Sequence, residues 1–322
     1  MRAIVHDEYG TTEVLQVREI PTPVAGPGEV LLRVRAAGVD MAVWRGMTGT
    51  PLLARLGFGL LRPRKSVLGG EVAGIVDAVG DGVTRFAPGD EVFGVAQGSF
   101  AEFSIAKERD LVTMPTTLDF EQSAALPISA LTAVQAVERE ALVGSGQSVL
   151  VLGAGGGVGT FAVQLAVAAG ATVTGVCSAG KADLVRSLGA TTVIDYRSTP
   201  VTGEFDVIID TAGQRPIPTL TSLPTPRGIA VIVGGEGGGT RLMGGFSRSI
   251  LAPLSSRKRG KRVVGLVSLT TTSNLERVRT LAEAGSLVPS IDTVYALEDA
   301  GVALERLSSG SIAGKAVLRV SS

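Results

Sequence analysis

The sequence predicts an α/β protein in which a doubly wound parallel sheet is joined to a smaller, β-rich domain. Three observations carry that prediction. From Glu121 onward apolar strands alternate with helical stretches; before it, short β-rich segments are broken by proline and glycine; and VLGAGGGVGT sets a glycine-rich turn between a strand and a helix. At 322 residues, 45% hydrophobic and 19% charged, the chain is long enough for two domains with ample core.

Up to about Asp119 the β-rich segments are AIVHD, VLLRVRAAG, EVAGIVDAVG, DEVFGV and AEFSIA, punctuated by IPTPVAGPGE and FAPGDE. Such punctuation predicts a small barrel or sandwich. A helical stretch, EQSAALPISALTAVQAVERE, comes next. The strands SVLVLGA, TVTGVCS, TVIDY, FDVIIDTAG and GIAVIVGG then alternate with the helices GVGTFAVQLAVAAG and KADLVRSLG, and RVVGLVS supplies a sixth strand. Strands this uniformly apolar belong to a sheet covered by helices on both faces. The tail offers helix NLERVRTLAEAG, strand DTVYALE, helix DAGVALERLSSG and a closing strand GKAVLRV, which is expected to return to the first domain. The expected boundaries are 1–119, completed by 269–322, for the β-rich domain and 120–268 for the doubly wound one.

Thirty basic and thirty acidic residues cancel, so no global field draws the chain to nucleic acid or to an anionic membrane. No apolar run reaches the roughly 18 residues that span a bilayer, and MRAIVHDEYG lacks a signal peptide's apolar stretch, so a cytoplasmic location is expected. The single cysteine, Cys177, and single histidine, His6, exclude a disulfide within the chain and zinc sites built from several Cys and His ligands. Ser-His-Asp chemistry would have to run through His6, which is expected instead as a surface residue at a strand end.

Strand, glycines and helix in this order form the context in which such a turn binds a dinucleotide, with backbone N–H groups and the helix N-terminus facing the pyrophosphate. The strict GxGxxG fingerprint fails in every register. Gly153, Gly156 and Gly159 remain at three-residue spacing, with Gly155, Gly157 and Val158 in the same turn. The alternative is a glycine-rich turn with no ligand. An Asp or Glu at the end of the next strand would bind the 2′-hydroxyl of NAD and repel a 2′-phosphate. Cys177 stands there instead, followed by Ser178 and Lys181, a hydroxyl donor and a cation suited to a phosphate dianion. NADPH is therefore the expected cofactor. The plainer readings are a solvated Lys181 in a helix's first turn and a small, packed Cys177.

VLGGEVAGIVDAVGDGVTRFAPGDEVFGV (67–95), LPISALTAVQAV (126–137), GGGVGTFAVQLA (155–166), SLGATTVIDY (187–196) and GKAVL (314–318) together resemble the medium-chain dehydrogenase/reductases, specifically their zinc-free quinone oxidoreductase, or zeta-crystallin-like, branch. The resemblance implies a GroES-like barrel built from both chain ends and a Rossmann domain, with the active site and nicotinamide in the cleft between them. It places Thr132 beside the nicotinamide and Ser178, Lys181 and Tyr196 around the 2′-phosphate and ribose. Thr211, Ala212 and Gly213, with Gly234 and Gly235, end successive strands at the cofactor face. It also implies a homodimer formed through paired RVVGLVS edges.

The expected function is that of an enzyme transferring hydride from NADPH to a quinone or other conjugated carbonyl, a small hydrophobic acceptor, without metal. Alternatives on the same fold are an enone, alkenal or enoyl-thioester reductase and an alcohol dehydrogenase-like carbonyl reductase; a non-catalytic NADPH-binding sensor is the alternative of another class. Trp44 is placed to stack on a flat acceptor or to pack in the core. Two features depart from the family. Asp40 stands where relatives usually carry Asn, either as a proton source or as the cap of a helix beginning near Met41. The basic segment RLMGGFSRSILAPLSSRKRGKR, 241–262, forms either a lid over the acceptor or a solvated basic helix.

Overall fold

The computed structural model describes residues 1–233, 242–245, 248 and 262–320. The chain divides into two compact units, one made of Met1–Leu131 with Thr270–Ser322 and the other of Thr132–Leu269.

The first unit contains β1 (Arg2–Val5) and β2 (Gln16–Glu19), paired as an antiparallel ribbon. Its main sheet has the order β14-β15-β3-β4-β5-β7, from strands β3 (Glu29–Val39), β4 (Glu71–Val79), β5 (Glu91–Val95), β7 (Leu111–Thr113), β14 (Ile291–Ala296) and β15 (Lys315–Arg319). β6 (Phe103–Lys107) also pairs with β3. The tail does return: β15 lies antiparallel to β3, with Ala316 opposite Val39 and Arg319 opposite Ala36. Leu32, Val34, Val72, Val76, Phe100 and Leu318 fill the core. Edge strand β14 alternates half-buried and exposed residues, as a strand with one wet face should. Helices α1 (Met41–Thr48), α2 (Arg55–Phe58) and α3 (Phe120–Ala124) belong to this unit, and α3 packs on β3 and β4.

The second unit is a six-stranded parallel sheet, β10-β9-β8-β11-β12-β13, from β8 (Ser148–Leu152), β9 (Thr172–Cys177), β10 (Thr192–Asp195), β11 (Phe205–Asp210), β12 (Pro224–Ile232) and β13 (Arg262–Gly265). After α4 (Ser129–Val134), helices α5 (Gly157–Ala168), α6 (Ala182–Ser187) and α7 (Ile217–Ser222) connect strands. This is the doubly wound α/β architecture the alternation predicts. The chain runs outward from β8 to β10, then returns to β11 on the other side of β8, so the sheet changes direction between β8 and β11. Ligands of such sheets bind at that switch point, beyond the strands' carboxyl ends. α5 is apolar on nearly every side, with Phe161, Ala162, Val163, Leu165 and Ala166 buried, as a fully covered helix must be.

Of the elements named, β2, β7, α2 and α7 were not apparent in the sequence. β2, QVRE, is polar and lies on a ribbon edge, while α7 carries a proline and two threonines in six residues. His6 is also not at the surface: it is 2% exposed, its backbone N–H bonds the Ser66 carbonyl, and burial lowers its pKa.

Candidate functional site

The glycine turn occupies the switch point. Gly153 follows β8 with φ +83°, a left-handed conformation that favours glycine, and its N–H and that of Ala154 both donate to the Val176 carbonyl at 3.0 Å. A Cβ at Gly153 would stand 2.6 Å from Thr211 Oγ1, so the turn leans on the residue that follows β11. The Thr211 hydroxyl itself donates to the Leu152 carbonyl at 2.8 Å. A Cβ at Gly159 would overlap the Gly153 carbonyl, which is why the helix can approach the strand closely only with glycine there. Gly156 is the N-cap of α5, in extended conformation, and no side chain caps the helix; Gly157 and Val158 open its first turn. Unused first-turn N–H groups beside a positive dipole end can receive an anion.

The end of β9 adjoins this turn. Cys177 is buried, and burial pushes its thiol pKa up, so it is a packed side chain rather than a reactive thiolate. Ser178 precedes a short helical turn in which the Lys181 N–H donates to the Ser178 carbonyl at 2.9 Å. A Cβ on Gly155 would stand 2.8 Å from both Cβ and Cδ of Lys181, so the lysine stem lies along the glycine turn. On the neighbouring strand Asp195 pairs with Cys177, and the Tyr196 N–H donates to the Cys177 carbonyl at 3.2 Å. The half-exposed Tyr196 ring has the Arg197 guanidinium 5.7 Å from its centre. Asp195, an acid the sequence did not single out, accepts from the Arg197 N–H. The structure thus gathers Gly153, Gly155–Gly159, Ser178, Lys181 and Tyr196 at the carboxyl ends of adjacent strands.

At the end of β11 the buried Asp210 accepts from the Gly213 N–H at 3.1 Å and from Arg248 at 2.7 Å; the same Arg248 nitrogen donates to the Arg215 carbonyl. This arrangement folds Thr211, Ala212 and Gly213 into a tight turn. Arg248 is therefore not part of a solvated face, because a carboxylate with no solvent contact holds it; the sequence could not show this across 38 residues. Gly234, Gly235 and most of 241–262 lie outside the described residues. Thr132 begins the second unit and its Oγ1 donates to Ser268 Oγ at 3.0 Å. Gln135, which no motif flagged, fastens the same segment by exchanging bonds with the Leu269 backbone.

Asp40 and Trp44 belong to the first unit. Asp40 leaves β3 and caps α1: Oδ1 accepts from the N–H groups of Ala42 at 2.6 Å and Val43 at 3.1 Å. Its other oxygen, Oδ2, is buried without a partner. Trp44 packs against the unit's core. Under the end of β3 lies a pair with no sequence signal, Glu71 at the start of β4 and Lys315 at the start of β15, joined by a buried ion pair. Glu71 also accepts from the Ile128 N–H, and Lys315 donates to the Val39 carbonyl. Burial pushes Glu71 up to about 7 against the pull of Lys315, and the charge of Asp40 adds to the rise. Among the described residues no group of three or more His, Cys, Asp and Glu is arranged to hold a metal.

Residues 26–116 match the family model described as alcohol dehydrogenase GroES-like domain, and 188–318 the one described as zinc-binding dehydrogenase. The chain is 32% identical to a chloroplastic quinone-oxidoreductase homolog of Spinacia oleracea, across 99% of this chain and 98% of that protein. Its fold is similar to the quinone oxidoreductase from Coxiella burnetii, with TM-score 0.87, 26% identity and coverage of 100% and 99%. It is likewise similar to the Escherichia coli quinone oxidoreductase complexed with NADPH, with TM-score 0.85, 25% identity and coverage of 99% and 100%.

Proposed function

This chain belongs to the medium-chain dehydrogenase/reductase family and is an oxidoreductase, and on that premise we propose that it uses NADPH to reduce a quinone or another conjugated carbonyl acceptor, without metal. The observation that carries the reading is the uncapped glycine start of α5 with the Lys181 stem along it and Cys177, not an acid, at the end of β9. Gly155 lets the Lys181 stem lie against the turn and Gly159 lets α5 approach Gly153, and the uncapped first-turn donors of α5 suit phosphate groups. The NADPH-bound Escherichia coli relative supports the same cofactor here.

When bound, NADPH supplies the reducing hydride. The first-turn amides of α5 would hold the pyrophosphate and Lys181 and Ser178 the 2′-phosphate, while Tyr196 would flank the ribose and Thr211, Ala212 and Gly213 would line the site beside them. Thr132 Oγ1 donates to Ser268 Oγ, which fixes the orientation of the threonine side chain. Asp40 spends Oδ1 on the α1 amides, and Oδ2 is the atom left to hold a proton for the reduced acceptor. Conjugated acceptors fit because they delocalise the developing charge. With a single histidine and a single cysteine, the chain offers no Cys/His ligand set for a Lewis acid that would polarise a plain carbonyl. We further propose a homodimer: among the described residues β13 has a neighbour on one side only, and Val267 and Leu269 just beyond it are exposed.

The test is NADPH oxidation against quinones, enones, aldehydes and enoyl thioesters, before and after exhaustive chelation. Turnover is expected with quinones, undiminished by the chelator. NADPH binding with no turnover on any acceptor would make the protein a sensor instead.

A further inference from the structure

Residues 41–70 contain five Lys and Arg (Arg45, Arg55, Arg62, Arg64 and Lys65) and no Asp or Glu, in a chain whose charges cancel overall. Within the same stretch Leu53, Leu56, Phe58, Leu60 and Leu61 are all exposed, Leu56 by 62% and Leu61 by 89%. Isolated exposed leucines are ordinary, but five large apolar side chains within nine residues form a contiguous feature that calls for an occupant.

The segment is built to display them. The Arg55 guanidinium lies 4.3 Å from the centre of the Tyr9 ring, and its Nε donates to the Gly49 carbonyl at 3.0 Å. The Tyr9 hydroxyl donates to the Gly59 carbonyl at 2.5 Å, and the Arg64 N–H to the Phe58 carbonyl at 2.7 Å. These bonds use the polar groups inward and leave the leucines outward, with Arg62, Arg64 and Lys65 exposed beside them. Asp7 lies within electrostatic reach of Arg62, but its carboxylate is held by Arg18 at 2.5 Å.

We propose that the 52–65 surface docks this protein onto an anionic lipid bilayer, Leu53, Leu56, Leu60 and Leu61 entering the acyl boundary and Arg62, Arg64 and Lys65 meeting the headgroups. Apolar tips flanked by cations, in a stretch with no carboxylate of its own, complement that surface, and each interfacial cation adds attraction that salt screens. The helical pieces Leu52–Ala54 and Arg55–Phe58 are far too short to span, so the chain lies on the membrane rather than in it. The inference is independent of which acceptor the enzyme reduces.

Sedimentation with sucrose-loaded vesicles tests it, using the full chain with phosphatidylcholine alone or with about one-third phosphatidylserine. The protein is expected to pellet with the anionic vesicles only, and to be released when salt rises from about 0.1 to about 0.5 M. Arg62→Gln with Arg64→Gln should weaken partition about 30-fold, and Leu56→Asp with Leu61→Asp at least about tenfold, at unchanged melting temperature. Equal sedimentation with neutral vesicles, or anionic binding undiminished in both variants, would overturn the proposal. So would a doubled mass in light scattering that Leu61→Asp abolishes while vesicles are ignored, since a second copy would then be the occupant.

Discussion

Helices α1 and α5 begin alike and end up with opposite uses. Their N-cap residues, Asp40 (φ −138°, ψ 168°) and Gly156 (φ −97°, ψ 176°), share an extended backbone, so the difference lies in the side chain. Asp40 turns its own carboxylate onto two amides of α1. Gly156 offers nothing, and the amides of α5 stay available beside Gly155 and Lys181. A helix terminus can serve as an anion receptor only where its own sequence declines to cap it. Their surroundings differ too: Asp40 lies within electrostatic reach of the buried Glu71–Lys315 pair, whereas the α5 start lies among glycines and strand ends.

The largest effect should come from the support of the capped helix. Glu71→Gln leaves Lys315 buried without a counter-charge and is expected to cost about 3–5 kcal/mol in urea denaturation at about pH 8. The same residue sets a pH dependence. Burial raises its folded-state pKa from 4.5 to about 7, so the folded chain keeps a proton that the unfolded chain releases. Its contribution to stability is then full below the unfolded value and is lost as pH rises toward 7. Glu71→Gln should flatten that slope; an unchanged slope would show that another group causes it.

Giving α5 the cap of α1 is the next test. Gly156→Asp meets only the Gly153 carbonyl oxygen, at 3.4 Å from the added Cβ, and the backbone is already suitable. The new carboxylate should raise stability by a few tenths of a kcal/mol while occupying the amides and repelling the pyrophosphate, so that calorimetry reads NADPH affinity down by about 30-fold. Undiminished affinity would mean that the α5 terminus is not the phosphate site.

Lys181→Ala sharpens the comparison further, since this lysine is what accompanies the uncapped terminus and not the capped one. Wild type is expected to bind NADPH at least about tenfold tighter than NADH, and loss of a charge-assisted contact of about 1.5–3 kcal/mol should erase most of that gap. The smallest effect belongs to Asp40→Asn. Asn caps as well as Asp, so the melting temperature should move by less than about 2 °C, while turnover falls if Oδ2 holds the proton. Unaltered turnover would leave Asp40 as a cap alone.

Much of the second unit was legible because its information is local. Each strand is a short apolar run, each helix a periodic one, and GAGGGVG must turn tightly wherever it occurs. The missing acid at Cys177 was visible by the same token, since position relative to the glycines follows from one βαβ unit. Less could be read in the first unit, where β2 is polar and the register that sets β15 against β3 is not written in either strand, although the return of the tail was expected. Asp40 remained open between cap and acid in the sequence; the structure shows Oδ1 capping α1 and leaves Oδ2 buried without a partner.

The sequence by itself therefore determined the alternation of strands and helices, the glycine turn with its neighbouring hydroxyl and cation, and the scarcity of metal ligands, because these depend on residue type and on neighbours within about thirty positions. Only the tertiary structure decided which polar groups lose their water. The pairing of Glu71 with Lys315, the capture of Arg248 by Asp210 and the packing of Lys181 along Gly155 are matters of what the fold shields from solvent, and the outward leucines of 53–61 of what it leaves exposed. Burial is a property of everything that surrounds an atom, and residues far apart in the chain supply those surroundings.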